Sequence, residues 1–577
     1  MLRLIKYLKP YIPLIILLLG LTYAQVMASL ALPDYMAKIV NEGIVNQDQA
    51  LIWQTGLKMI LITLGGALAT VIGGYLSARI GTGFSRDLRQ KVFSKVESFS
   101  MQEFNTFSTA SLITRSTNDI QQIQMVVIML FRMVLSAPIM GIGAIIKAST
   151  TAPSMTWIMG IAVAILLTII IILFVVAVPK FKLVQDLIDK LNLVTRQNLT
   201  GLRVIKAFNT EDYEKRKFDE VNKDLTKIRL FVNRIMVVMQ PIMMLVFNLT
   251  TIAIIWVGAQ RIDVGELQIG DMMAFMQYAM QVIMSFLMIS IIFIIIPRAS
   301  VSAQRIMEVL ETPLHILDPK KPKKAKGKGE VTFKNVTFSY PDADVPVLHN
   351  ISFTAKPGET TAIIGGTGSG KSTIINLIPR FFDVTLGEIL IDGIDVREMK
   401  KAELRERIGY IPQKGVLFSG TVKSNIKYGR PNAKMEEVKE AARIAQATDF
   451  INKLEDGYDS HIAQGGSNVS GGQKQRLAIA RALVTNPDIY IFDDSFSALD
   501  FKTDYKLREE LQKLTKDSTV IIVAQRIGTI LHADKIIVLN DGKVVGIGKH
   551  KELLQSCEIY REIASSQLSE KELENGK

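Results

Sequence analysis

Six long apolar stretches in the first half of this 577-residue chain restrict its architecture more than any other feature. They fall near Tyr11–Leu32, Met59–Ala78, Val126–Ile146, Met155–Val178, Met239–Ala259 and Met272–Ile296. Each approaches the ~20 residues that cross ~30 Å of hydrocarbon. In lipid, backbone N–H and C=O groups must be satisfied inside the segment, so each stretch is predicted to be a helix. Residues 1–300 hold 21 of the 24 methionines and none of the five histidines, a composition shift that sets them apart as one domain. Cys557 is the single cysteine, which excludes an intrachain disulfide. The first apolar stretch is too long for a signal-peptide core and reads as a membrane anchor.

Lys and Arg set the expected orientation. The chain starts with Arg3, Lys6 and Lys9, and the segment Lys180–Arg234 carries 13 Lys or Arg. Pro33–Gly56 has only Lys38, and Ala259–Asp271 only Arg261. Both termini are therefore predicted to face the cytoplasm. Basic cytoplasmic loops account for the net charge of +13, so membrane lipids are expected as partners and nucleic acid is not. Helical periodicity in the two long loops, as in VNKDLTKIRLFVNRIMVV, predicts membrane helices that run on into the cytoplasm. Turns near Ser111–Asp119 and Phe208–Tyr213 are the expected docking points for a cytoplasmic domain. Gly66, Thr70, Gly74 and Ala78 predict a small-residue face for close helix packing. Met272, Met276, Met280, Met284 and Met288 recur every fourth residue, with Gln277, Tyr278 and Gln281 nearby. Such a stripe suits either varied hydrophobic small-molecule substrates or plain packing.

Beyond Pro297 the membrane pattern stops. Residues 301–330 are expected to be a linker, its DPKKPKKAKGKGE run holding six lysines without apolar periodicity. Residues 331–565 alternate strand and helix patterns with Gly-rich turns, as in an α/β domain. The charged tail, 566–577, is expected to fray.

The chemistry begins at TAIIGGTGSGKST, an apolar strand followed by a glycine-rich turn and a helix start. Gly365, Gly366, Thr367, Gly368, Ser369 and Gly370 can curl backbone N–H groups around phosphate oxygens, and the helix start through Thr373 adds a favourable dipole. Lys371 is expected to reach the β- and γ-phosphates, and Ser372 to ligate Mg2+. Asp493, closing the apolar run IYIFD, is the second expected holder of the magnesium.

Val469–Gln473, VSGGQ, is similar to the LSGGQ signature of ATP-binding cassette (ABC) transporters, and the resemblance extends over nearly the whole chain. It implies a six-helix transmembrane domain followed by an α/β P-loop nucleotide-binding domain with a helical signature subdomain. It also implies ATP as ligand, with Ser470, Gly471, Gly472 and Gln473 closing on nucleotide held by a second half-transporter. Tyr340 looks like the aromatic that stacks on adenine. Gln413 looks like the glutamine that touches Mg2+ and senses the membrane loops, and Asp500 like the residue that signals across the dimer. Thr114–Asp119 (TRSTND) and Gly201–Phe208 (GLRVIKAF) resemble the coupling loops of the exporter branch.

Two positions depart from that pattern. Asp494 stands where Glu is expected, and Gln525 where His is expected. Asp is one methylene shorter, leaving its carboxylate about 1.5 Å short of the water it must orient. Gln can hydrogen-bond a γ-phosphate but cannot become cationic. Both changes resemble the degenerate subunit of heterodimeric bacterial multidrug exporters, which bind ATP at one impaired site. Gln464 likewise stands where many exporters carry Glu. The alternatives are a slow homodimeric exporter and an ATP-gated channel or regulatory subunit.

Overall fold

The computed structural model describes residues 2–341 and 343–568, so the last nine residues of the expected tail lie outside the described ones. The chain divides into two compact units, Met1–Glu97 with Ser108–Thr312, and Ser98–Phe107 with Pro313–Lys577.

In the first unit the six apolar stretches lie inside helices spanning Ile12–Lys38, Gln49–Glu97, Thr109–Thr151, Thr156–Thr200, Glu211–Asp263 and Ile269–Glu311. The second, fourth and fifth run 49, 45 and 53 residues, far beyond bilayer thickness, as the periodicity of the loops predicts. The sixth continues through Glu311, so helix occupies the start of the expected linker.

Thr114–Asp119 is not a turn. It lies within the third helix, where Arg115–Asp119 forms a π-helical stretch. From there Arg115 Nη1 donates to the Arg305 carbonyl at 2.5 Å and to Glu308 at 2.8 Å. Ser302 Oγ donates to the buried Asp119 carboxylate at 2.7 Å. These residues pin the third helix to the C-terminal end of the sixth, and the widened helical turn aims both side chains across the gap. The actual break lies earlier, where the short helix Met101–Thr106 sits between Ser98 and Ser108. The other expected turn does hold a break: the helix Leu202–Phe208 ends at Asn209, whose φ of 52° reverses the chain.

Side-chain packing also revises two patterns. The first and second helices approach through Gly66 and Gly73, with Ala69 buried between them, whereas Thr70 is exposed and Gly74 faces open space. The small-residue face is thus rotated by about one residue from the expected four-residue repeat. In the sixth helix Tyr278 is fully buried and donates to the Leu30 carbonyl at 3.1 Å and to Asp34. Asp34 also pairs with Lys147 at 2.6 Å, so its charge among these helices has an opposite partner. Met272 and Met276 pack into the same apolar cluster, while Met280 and Met284 remain exposed. The methionine stripe therefore splits into a packing half and an open half.

The second unit is built on two main sheets. β1 (Val331–Phe338), β2 (Leu348–Ala355), β4 (Leu386–Ile391) and β5 (Ile394–Asp395) form an antiparallel sheet in the order β2-β1-β4-β5. β3 (Thr360–Gly365), β6 (Ile408–Ile411), β9 (Ile489–Asp493), β10 (Thr519–Val523), β11 (Lys535–Asn540) and β12 (Lys543–Gly548) form the other, ordered β12-β11-β3-β10-β9-β6. β7 (Gly420–Thr421) and β8 (His461–Ile462) pair separately. Every residue of β9 and β10 is buried, which explains their unbroken apolar runs: a parallel strand covered on both faces has no polar side to alternate.

The lysine-rich run is laid along this unit rather than hanging free. Lys323 N–H donates to the Glu398 carbonyl at 2.9 Å, and its ammonium reaches the Glu398 carboxylate at 2.7 Å. The amides of Gly329 and Glu330 both donate to Asp392. Just upstream, His315 N–H and Nδ1 each lie 2.7 Å from Glu103 Oε1, and Ser100 caps the other carboxylate oxygen from its amide and hydroxyl. Burial alone pushes the Glu103 carboxyl up, but the bonds from Ser100 and His315 outweigh it and hold it at about 2. Because this value lies below the ordinary 4.5, the clasp contributes fully above that pH and is lost as pH falls toward 2. Glu103→Gln should cost about 2 kcal/mol at neutral pH. A denaturant titration of the full-length protein would show it as a lowered midpoint, with the gap to wild type closing in acid.

Candidate nucleotide site

Sheet topology brings the predicted residues to one edge. β10 lies between β3 and β9, all three parallel, with Val523 paired to Ile363 on one side and to Asp493 on the other. The carboxyl ends of these strands therefore carry Gly365, Asp493–Asp494 and, two residues past β10, Gln525. In open α/β sheets this edge is where ligands bind.

Between β3 and the helix Lys371–Leu377 the chain turns through Gly368 and Gly370, with φ of 82° and 94°. A side chain at Gly370 would also meet Leu348 Cδ2 at 2.6 Å, so the turn requires glycine there. Lys371 Nζ folds back onto the carbonyls of Gly365 and Gly366 at 2.8 and 2.7 Å. Burial pushes its pKa down, against the opposing charges of Asp494 and Asp493. Ser369 Oγ is buried with no hydrogen-bond partner among the described residues. A buried hydroxyl in a loop of converging amides is costly unless a ligand oxygen completes it, so the loop fits a phosphate.

Ser372 Oγ donates to Asp493 Oδ1 at 3.1 Å, which places together the two oxygen ligands expected for magnesium. Gln413, the third expected ligand, donates from Nε2 to Asp494 Oδ2 at 3.3 Å. Asp493 and Asp494 are each 8% exposed. Burial raises the Asp493 pKa, and the Asp494 charge raises it further. A divalent cation would relieve that repulsion, so this donor set fits Mg2+. Asp494 has a φ of 45°, and its N–H donates to the Val523 carbonyl at 2.9 Å. The left-handed backbone is tolerated best by Asp, Asn and Gly, and the sheet bond fixes where the side chain starts. Tyr340 joins the same helix start: its hydroxyl lies 3.1 Å from Thr373 Oγ1, with its ring edge-on to Phe338 and Phe382.

Ser470 caps the helix Gly471–Leu483. Its hydroxyl accepts from the Gln473 N–H at 3.3 Å, and its own N–H donates to Gln473 Oε1 at 2.9 Å. This reciprocal box leaves the amides of the exposed Gly471 and the half-buried Gly472 at a positive helix end. Among the described residues no hydrogen bond joins Ser470–Gln473 to the Gly365–Thr373 loop. Asp500 caps the helix Phe501–Leu514 by accepting from Thr503 N–H at 3.0 Å.

Sequence reading missed Gln475. Fully buried in the signature helix, it donates to the Pro412 carbonyl at 3.0 Å and accepts from Gly415 N–H at 2.9 Å. It therefore straddles Gln413 and ties the signature helix to the loop that reaches Asp494. A polar residue on the helical face that continues through Ala478, Ile479 and Ala482, as Gln475 is in QRLAIARAL, was the available signal.

Comparisons with known proteins agree with this geometry. Residues 15–286 match the family model described as ABC transporter transmembrane region, and residues 348–497 match the model described as ABC transporter. An ABC transporter ATP-binding protein of Mycobacterium tuberculosis is 43% identical, the alignment covering 97% of each chain. The ABC transporter ATP-binding protein YfiB of Bacillus subtilis is 37% identical over 98% of each. The solved structure of a bacterial Atm1-family ABC exporter with ATP bound has a TM-score of 0.81, at 27% identity, over 96% of this chain and 98% of that one. With membrane region and nucleotide-binding domain fused in one polypeptide, the chain belongs to the ABC transporter family and is a multi-pass half-transporter of the exporter type.

Proposed function

We propose that this chain is one half of a heterodimeric exporter in a bacterial plasma membrane, both termini cytoplasmic, moving hydrophobic or amphipathic compounds outward by alternating access. Its own pocket binds ATP and cleaves it slowly. Its signature, Ser470–Gln473, completes a competent site whose phosphate loop belongs to the second half-transporter. The observation that carries this reading is Asp494, whose short carboxylate extends from a backbone tied to β10 and so cannot advance toward a water.

In this reading the amides of Gly366–Gly370 and the Lys371 ammonium hold the terminal phosphates, and Gln525 adds a neutral hydrogen bond where an imidazole would supply a proton. Ser372, Asp493 and Gln413 would hold Mg2+, which when bound offsets charge on the phosphate oxygens. Tyr340 stacks on the adenine, and Asp500 senses closure at the dimer face. Val204 and Phe208 are exposed on the short helix Leu202–Phe208, one of the two stretches that resemble coupling loops. Each nucleotide shifts the closure equilibrium only by its differential affinity for the closed form. Met280 and Met284 offer an apolar surface for substrate.

Purification of the native complex, with identification of whatever copurifies, tests the assignment. A second half-transporter carrying Glu and His at the two divergent positions is expected. Brisk ATP turnover by this chain assembled only with itself would support a homodimer instead. Passive ATP-gated current without substrate accumulation would support a channel.

A further inference from the structure

The segment that carries Gln525 is held by a residue far along the chain. Gln567 Nε2 donates to the Gln525 carbonyl at 2.9 Å, and Gln567 Oε1 accepts from the Ile527 N–H at 2.8 Å. One side-chain amide thus brackets three consecutive residues. Ile527 opens the short helix Ile527–Ile530, whose N-cap Arg526 contributes no side-chain bond. First-turn amides have no intrahelical acceptor, and Gln567 supplies the one that Ile527 lacks.

The bracket has a firm mount. Gln567 follows the helix Glu558–Ser565, and Gln567 N–H and Leu568 N–H both donate to the Ala564 carbonyl, at 3.1 and 2.9 Å. Tyr560 and Ala564 are fully buried in the same apolar cluster as Ile527 and Ile530. Tyr560 is fixed in turn by the His550 ring nitrogen, 2.7 Å from its hydroxyl. Support and supported loop therefore share one core, and the exposed Gln567 amide spans them. Gln525 and Arg526 have exposed side chains between the buried Ala524 and Ile527, so packing of their own side chains does little to set the direction of these two residues. The two hydrogen bonds do.

We infer that Gln567 is a positioning residue for nucleotide: by clamping the backbone on both sides of Arg526 it aims the Gln525 side chain at the terminal phosphate held by Lys371. This rests on the reading of Gln525 given above. Pre-set direction matters because a donor that must be oriented on binding loses part of its contribution to that ordering.

The test is binding of a slowly hydrolysed ATP analogue to the purified full-length complex, with amide hydrogen exchange read at Ile527. Gln567→Ala should weaken binding roughly 5- to 10-fold and speed exchange at Ile527. Gln567→Glu keeps the acceptor but not the donor, so exchange should stay slow while binding still weakens. In a Gln525→Ala background, Gln567→Ala should add nothing, because the two residues act as one unit. Unchanged affinity in Gln567→Ala alongside a clear loss in Gln525→Ala would overturn the clamp and leave the reading of Gln525 standing. If Gln525→Ala itself leaves affinity unchanged, both fail. Additive losses would assign Gln567 a role unrelated to Gln525 and also overturn the inference.

Discussion

Asp494→Glu together with Gln525→His should raise ATP turnover at this chain's own pocket by about 10- to 100-fold. The expectation follows from reach. Asp494 starts from a backbone bonded to Val523 and is engaged by Gln413, so its carboxylate has no slack with which to recover the missing methylene. Displacement of a catalytic group by about 1 Å can cost about 100-fold, and a Glu at the same place restores that reach. Glu is less at ease than Asp at a φ of 45°, so some of the gain is offset by backbone strain. Single-turnover hydrolysis by the double variant, compared with each single one, is the measurement. No increase in the double variant would remove the argument that this pocket is slow because its acid is short.

The second large effect is expected on the opposite side of the dimer. Gly471→Asp should reduce ATP turnover of the assembled complex by at least about 100-fold, while nucleotide binding by this chain's own phosphate loop changes less than about twofold. A Cβ at Gly471 meets nothing within 4 Å, and the residue does not occupy the left-handed region. A carboxylate in the first turn is favourable for the helix itself, so the fold survives. In the proposed heterodimer, the loss comes from placing a negative charge where a phosphate held by the second half-transporter would dock on the Gly471 and Gly472 amides. Equal losses of binding and turnover would instead place the signature in this chain's own pocket.

Contrasting pairs of segments separate what is locally encoded from what is not. The six membrane helices are legible because lipid leaves the backbone no alternative, and the phosphate loop because its glycines are demanded by local geometry. TRSTND reads as a turn in isolation, because Arg115 and Asp119 look like loop residues until Glu308 and Ser302 appear opposite them. The lysine-rich run reads as flexible by itself, yet carboxylates and carbonyls far along the chain order it. The small-residue repeat misses the true contact at Gly73 because helix rotation depends on the neighbour, not on the helix alone.

What the amino-acid order decided by itself was therefore everything dictated over short range: which segments must be helices in lipid, where a glycine-rich turn joins a strand to a helix, and that Asp494 and Gln525 stand where the family resemblance leads one to expect Glu and His. The folded chain alone decided which groups meet. Gln475 reaching Pro412 and Gly415, Glu103 reaching His315, and Gln567 reaching Gln525 and Ile527 are side-chain bonds between segments distant in sequence. Such pairings depend on sheet order and helix packing, which no local pattern encodes.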